Sequence, residues 1–399
     1  MMRVDALVIG AGLVGSAAAW HLAGGGATVL LVEAGDVNRG ASGQNAGSLH
    51  FQIERRYLEQ GDRLAAEAAR ITTLNRLAID EWAGLETMLG QSLSIRQQGG
   101  LMVAETAEQV ALLETKIRRE QDAGLSTVMI DGDAARALAP ALSPAIVAAG
   151  YMAEEGHADP KKVTPAFARG AVARGAELRA DTQVQAIARD GAGFRVTLAG
   201  QGGVVDCRCD RLLIAAGAWT PRIAAMANLH VPLFPVALTM NVTERVAPML
   251  GQLIQHVGRR LSMKQADAGN ILIGGGWPSR LRWGADGHFD PGQRPDAIDQ
   301  VRRDNLTAAV ATVPAIADLN LLRSWTGVTA ISADQLPLVG EMPRLPGLFV
   351  AAGGSAFTLG PTFGRLVAAQ MLDRDRAEAD AALAIVAPAR FEHLNSFMG

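Results

Sequence analysis

The stretch VDALVIGAGLVGSAAAWHLAGGGATVLLVE, residues 4–33, decides the fold. It opens on an unbroken apolar run, the mark of a strand buried on both faces of a parallel sheet. Gly10-Ala11-Gly12-Leu13-Val14-Gly15 follows, a GxGxxG turn. Residues 13–26 then read as a helix ended by glycines, and residues 27–33 as a second strand finishing at Glu33. Each part has a physical task. Gly10 permits the tight turn, Gly12 lets backbone approach a pyrophosphate, and Gly15 lets helix and strand pack closely. The helix start supplies free N–H groups and the positive end of a dipole. Glu33 lies about 20 residues on, where a carboxylate accepts from ribose hydroxyls. The expected site binds a dinucleotide, and the motif alone does not choose NAD over FAD.

The same stretch carries no Asp, Glu, Lys or Arg from Ala6 to Val32. A spanning helix needs about 20 apolar residues, but here glycines and two changes of period interrupt the run. No basic segment followed by a small-residue cleavage site precedes it. We therefore expect no transmembrane segment and no signal peptide. The chain of 399 residues has 49% hydrophobic residues and a net charge of -3. That balance leaves no broad basic field for nucleic acid or anionic lipid. Only two cysteines occur, Cys207 and Cys209, too few for a metal cluster. They read as reduced packing residues on one face of a strand. The expected location is cytoplasmic, with a peripheral position at the inner face of the membrane left open.

Just past Glu33 comes Ala34 and then the loop GDVNRGASGQNAGSLHFQ, residues 35–52. It cannot build an amphipathic element, and long ordered loops in compact domains are usually functional. Ala41, Ser42, Gly43, Ala46 and Gly47 let backbone run close against a flat or extended ligand. An ordinary NAD enzyme of the doubly wound type has no need of such a loop.

GxGxxG, then Glu33, then GASGQNAG resembles the D-amino-acid oxidase superfamily of FAD enzymes. GHADPKKVTPAFARGAVARGAEL (residues 156–178), CDRLLIAAGAWTPRI (209–223) and QLPLVGEMPRLPGLFVAAGGSAFTLGPTFGRLVAAQML (335–372) extend the resemblance over nearly the whole chain. NAGSLHFQ is most like the subunits of opine-oxidase type. The resemblance implies an α/β fold with two parts: a discontinuous, Rossmann-like FAD-binding domain and an α+β substrate domain with an antiparallel sheet. The first would take residues 1–85, 155–225 and 325–399, the second 86–154 and 226–324. It implies cofactor contacts at Gly10, Gly12, Leu13, Val14, Gly15, Glu33 and Ala34, and along Arg39, Ala41, Ser42, Gln44, Asn45, Ala46, Gly47, Ser48 and Leu49. Val184 would meet adenine through its backbone, and Ala216, Gly217 and Trp219 form the second signature. Gly353, Gly354, Phe357, Thr358, Leu359, Gly360 and Thr362 would face the flavin. There Pro361 favours a helix start, whose amides would stabilise negative charge on the reduced ring.

The implied activity is oxidation of a C–N bond in an amino acid or secondary amine of opine, hydroxyproline, sarcosine or glycine type. Hydride passes to flavin N5, and the imine hydrolyses. A carboxylate substrate calls for an arginine fork or a lysine. Arg260, Lys264, Arg280, Arg282 and Arg302 are the cations in the second domain, and for each a solvated charge is the simpler reading. Lys264 stands out because sarcosine-oxidase relatives place a lysine over the flavin to activate oxygen. His50 and Gln52 follow the loop directly. His50 and Lys264 are the candidate catalytic residues. No cysteine lies where one tethers flavin in monomeric sarcosine oxidase, so FAD should be noncovalent. Heterotetrameric sarcosine oxidases carry a histidine for covalent FMN near the stretch resembling GHADPKKV; His157 does not match that point, so covalent FMN is not expected, and FMN is left open only at an interface with a partner subunit. Alternatives are an FAD hydroxylase using NAD(P)H and a non-catalytic FAD-binding subunit of a complex.

Overall fold

The computed structural model describes residues 2–58, 69–285, 287, 289 and 293–398. In chain order the elements that build the site are β1 (Met2–Ile9), α1 (Leu13–Gly24), β2 (Val29–Val32), β3 (Ser48–Leu49), α2 (Thr72–Leu89), β4 (Gly100–Ala104) and α3 (Ala107–Asp122). Then come β5 (Val128–Asp131), β6 (Ala148–Met152), β7 (Gly156–His157), β8 (Glu177–Arg179), β9 (Gln183–Asp190), β10 (Gly193–Gly200) and β11 (Gly203–Ile214). β12 (Leu233–Arg245), β13 (Leu253–His256), β14 (Ser262–Gln265), β15 (Asn270–Gly274), β16 (Leu321–Ser332), β17 (Leu338–Glu341), β18 (Leu348–Ala352) and α4 (Gly360–Leu372) complete the set.

The first sheet runs β17-β18-β11-β1-β2-β8, with β10 and β9 extending from β11. Its centre is parallel: β1 pairs with β2 and β11, and β11 with β18, all in parallel register. The expected buried strand is there, since Leu7 and Val8 are fully buried. α1 is apolar on all sides and buried on nearly all of them, which is what a helix sandwiched inside a domain requires. The charge-free run is thus core. Among the described residues no helix is long and apolar enough to cross a membrane. α1 stops at Gly24, two residues short of the expectation, because Gly26 takes a left-handed φ of +88°.

The second sheet, β16-β12-β15-β14-β13-β4-β6-β5, is antiparallel except where β13 meets β4. β16 pairs along its length with β12. It therefore crosses the expected boundary at 325, and the chain leaves the second sheet only after Ser332. A two-stranded ribbon, β3 with β7, lies where the two parts meet.

Two glycines bring α1 and α4 together. A Cβ on Gly360 would sit 2.8 Å from the Leu13 side chain, and one on Gly364 would sit 2.5 Å from the Ala17 methyl. The N-terminus of α4 therefore packs directly against that of α1. Cys207 and Cys209 are free and buried on β11, and burial pushes their thiols up to about 11 and 12.

Candidate active site

The nucleotide end is built first. Gly10 has φ +104°, and a Cβ there would lie 2.6 Å from the Ala215 carbonyl oxygen. A Cβ on Gly15 would lie 2.0 Å from the Gly10 carbonyl oxygen. The turn thus fits only glycine at both places. Ala216 and Gly217 lie beyond Ala215 at the end of β11, and the Trp219 ring reaches Gly40. Ser42 caps α1, its hydroxyl accepting from the Leu13 amide at 2.9 Å. The next amides of the first turn, of Val14 and Gly15, have no acceptor among the described residues, as helix starts leave them. Glu33 accepts from the Ala11 amide at 2.8 Å and the Gly35 amide at 3.3 Å. Thr182 and Asp181 amides donate to the carbonyls of Glu33 and Gly35, so the strand leading to Val184 starts beside that carboxylate, with Ala34 between the two carbonyls. Free helix amides, a glycine-only turn and a carboxylate at the far end fit a dinucleotide.

The loop that follows is fastened by its own side chains. Residues 41–44 form one helical turn. Asn45 donates to the carbonyls of Ala41 and Ser42 and accepts from the Gly47 amide. Its side chain is therefore spent on the loop, leaving backbone for a ligand. The Gln44 side chain donates to the Arg39 carbonyl, and its own backbone carbonyl accepts from the Trp325 ring NH. Ala46 leads into Gly47, whose φ is +77° and whose Cβ would meet the Ala158 oxygen at 2.1 Å. Arg39 points to solvent, paired with Asp36 at 3.1 Å. Ser48 has a buried hydroxyl with no partner among the described residues, and Leu49 is core.

The C-terminal segment closes the other side. Gly353 takes φ +131° against Pro337, and a Cβ on Gly354 would crowd the Arg56 guanidinium at 2.9 Å. Phe357 packs at a tilt against Trp82 of α2, whose ring NH donates to the Thr358 carbonyl at 2.6 Å. The Thr358 hydroxyl accepts from the His50 amide at 3.2 Å. Leu359 is fully buried in the core, and its amide donates to the Ser355 carbonyl at 2.9 Å. The Thr362 hydroxyl is spent on Glu81 at 2.6 Å, leaving its amide. Trp82→Phe removes a buried donor from the Thr358 carbonyl and should cost about 1–3 kcal/mol. Chemical denaturation of the purified variant measures that loss.

The segment carrying His50 and the strand carrying Lys264, far apart in the chain, are brought together at Ser262. His50 Nε2 lies 3.3 Å from the Ser262 hydroxyl of β14. Lys264 is two residues along that strand and so projects from the same face. Among the described residues its one hydrogen bond goes to the Ala158 carbonyl at 3.3 Å. Burial lowers its pKa to about 7, against the opposing pull of Asp159 and Asp267. Burial also lowers His50, whose Nδ1 is buried with no partner among the described residues. His50 is therefore a neutral ring at neutral pH.

Beside them stands a group that residue-type reasoning did not single out. Arg56 donates to Glu54, the Tyr57 hydroxyl, the Ser355 hydroxyl and the Gln335 carbonyl. Burial pushes Glu54 up, but the Arg56 charge and the hydrogen bonds from Arg56 and Ser355 outweigh it and hold the carboxyl down at about 2. Arg56 is thus a brace. It grips Gln335 and Ser355, two non-glycine residues with left-handed φ of +63° and +55°, and such backbone persists only where surroundings enforce it. Gln52 points away from the ring region, into Glu155. Arg282 and Arg302 are surface arginines paired with Asp296 and Asp299. Arg280 pairs through its backbone with Asp296, and the Arg260 carbonyl accepts from Trp277. Among the described residues no His, Cys, Asp and Glu group is arranged to hold a metal.

Residues 5–370 match the profile of a family described as FAD dependent oxidoreductase. The chain is 28% identical to the B subunit of opine oxidase from Rhizobium meliloti, over 93% of this chain and 94% of that protein. It is 27% identical to glycine oxidase of Geobacillus kaustophilus, over 92% of each. It is 26% identical to the beta subunit of sarcosine oxidase from Rhodobacter capsulatus, over 88% of this chain and 80% of that one. In fold it is similar to L-proline dehydrogenase from P. horikoshii, with TM-score 0.81, 22% identity and 98% of each chain covered.

Proposed function

Since the chain belongs to the DAO family of FAD dependent oxidoreductases, we propose that it oxidises the C–N bond of an amino acid or secondary amine bearing a carboxylate. FAD, when bound, supplies the acceptor for the hydride that leaves the carbon next to nitrogen. The observation that carries this reading is Lys264. A buried cation with one long hydrogen bond among the described residues has donors to spare, and it faces the same side as Ser262, toward His50. It would hold a substrate carboxylate, or charge developing on the partners of the reaction, in a site of low dielectric. Neutral His50 accepts or donates one hydrogen bond without adding charge. The site needs no strong general base, because a neutral amine already holds the lone pair that drives hydride loss. Arg56 and Glu54 brace the wall at Gly354 and Ser355.

FAD would be held through the α1 start, Glu33, the loop from Ser42 to Leu49, and the backbone of Gly353–Gly360. The proposal includes noncovalent attachment: both cysteines of the chain are core residues of β11, at Cys207 and Cys209. It also includes partner subunits, because relatives are named as subunits of opine and sarcosine oxidases. An FMN at such an interface would fit a surface cavity of about 890 Å³ walled by Arg96, His157, Met249 and Asp267. The test is an anaerobic visible spectrum of the purified flavoprotein. Bleaching is expected with one of opines, proline derivatives, glycine, sarcosine or α-amino acids. Bleaching by NADPH, or by glycerol 3-phosphate while every amine is inert, would overturn the reading.

A further inference from the structure

The segment carrying His50 is anchored in an unusual way. Four consecutive backbone amides donate to side-chain oxygens rather than to a strand. The His50 amide donates to the Thr358 hydroxyl at 3.2 Å. Those of Phe51 and Gln52 both donate to Glu155 Oε1 at 2.9 Å. The Ile53 amide donates to Glu120 Oε1 at 2.5 Å. The carbonyl of Phe51 accepts from Asn75 at 2.8 Å.

The two carboxylates belong to one closed network. Glu155 Oε2 accepts from Gln52 Nε2 at 2.8 Å. Gln52 Oε1 accepts from Lys116 at 2.7 Å, and Lys116 pairs with Glu120 at 2.8 Å. Glu155, Lys116 and Glu120 are all fully buried. Gly100 of β4 makes the room, since a Cβ there would lie 2.0 Å from Glu155 Oε2. Burial raises Glu155 to about 7, so the network keeps its acid at a cost. Buried ionic groups are costly unless every member is satisfied, and a satisfied network fixes geometry tightly.

We infer that Glu155 is a positioning residue for the flavin site. By gripping the amides of Phe51 and Gln52 it fixes where the His50 ring sits against Ser262 and Lys264. The inference rests on the reading of His50 as a group facing the reaction. Glu155 touches neither substrate nor cofactor and acts through the backbone.

Two variants separate reach from charge. Glu155→Gln keeps one oxygen for both amides but places a donor against Gln52. Glu155→Asp keeps the charge but is one methylene short. Histidine ring nitrogen shifts in ¹⁵N-histidine-labelled protein, with and without FAD, report on His50 directly, assigned with His50→Asn. Both variants should move the His50 resonances, Asp more than Gln. Both should slow anaerobic flavin reduction about 10-fold or more while still retaining FAD. In a His50→Asn background the Glu155 changes should have little further effect, as expected when one residue acts through another. Unmoved His50 resonances in both variants overturn the inference, whatever His50 does in catalysis. Moved resonances with His50→Asn fully active would leave the positioning intact and overturn the role of His50.

Discussion

Lys264→Met is expected to make the flavin-free protein more stable and the loaded enzyme about 10²–10³-fold slower, the loss seen when a charge-stabilising donor is removed from a water-excluded site. The sign of the stability effect follows from proton linkage. The lysine titrates at about 7 in the folded chain, against an ordinary value of 10.5 once unfolded. Between those values the unfolded chain holds a proton that the native state gives up, so stability rises with pH across that window. The cost is fully present below about pH 7 and gone above about 10.5. One pKa unit corresponds to about 1.4 kcal/mol, so the burden at neutral pH is of the order of a few kcal/mol. Denaturation midpoints of flavin-free wild type and variant should therefore differ most at about pH 6–7 and converge as pH rises. Stopped-flow reduction of the loaded proteins supplies the kinetic half. A variant that is both less stable and equally fast would refute the buried-cation account. Trading stability for a strained functional group is a common pattern in enzymes.

Gly15→Ala is expected to abolish flavin retention by destroying the turn, whereas Gly12→Ala should leave a folded protein. The difference lies in what each new methyl meets. At Gly15 it would be 2.0 Å from the Gly10 carbonyl oxygen, a backbone atom that cannot rotate away. Relief requires α1 to lift off β1, and α1 is pinned on its other side by Gly360 and Gly364 of α4. A loss above about 4 kcal/mol, in the range reserved for such collisions, follows. At Gly12 the methyl would meet the Ser42 hydroxyl at 3.1 Å, a group that rotates. The Gly12 variant should therefore melt near wild type yet release its flavin on gel filtration, because the methyl stands where backbone must approach the pyrophosphate. Equal melting temperatures for the two variants would count against this view of the turn.

What could be read from the sequence and what could not divide along chain distance. The Gly10–Gly15 turn, the acid at Glu33 and the start of α4 at Gly360 are local signals, set by φ, by free amides and by proline near a helix start. Lys264 was legible as a candidate only through a family resemblance. Its burial on β14 of the second sheet and its reach to Ala158 come from packing across 106 positions of chain. The arginines that composition offered, Arg282 and Arg302, sit on the surface with acidic partners. The one built into the site wall, Arg56, lies in a short segment with no periodic signal. Its importance comes from Gln335 and Ser355, 279 and 299 positions away. Glu155 is hidden for the same reason. Nothing in AEEGH announces that its second acid will turn inward, because the cause is a missing side chain at Gly100.

The packing of α4 against α1 also sets a clock. α1 is made before the residues that cover it, Gly360–Leu372, which come about 340 positions later. At roughly 5–20 residues per second, the apolar face of α1 waits about 20–70 s for its cover. During that time Leu13, Ala17 and Ala18 have no native neighbour from α4. A nascent chain halted anywhere before Gly360 therefore leaves the side of α1 at Leu13, Ala17 and Ala18 without its α4 cover. Such chains should be strong clients of ribosome-associated chaperones, and overexpression should yield inclusion bodies unless translation is slowed or chaperone supply is raised.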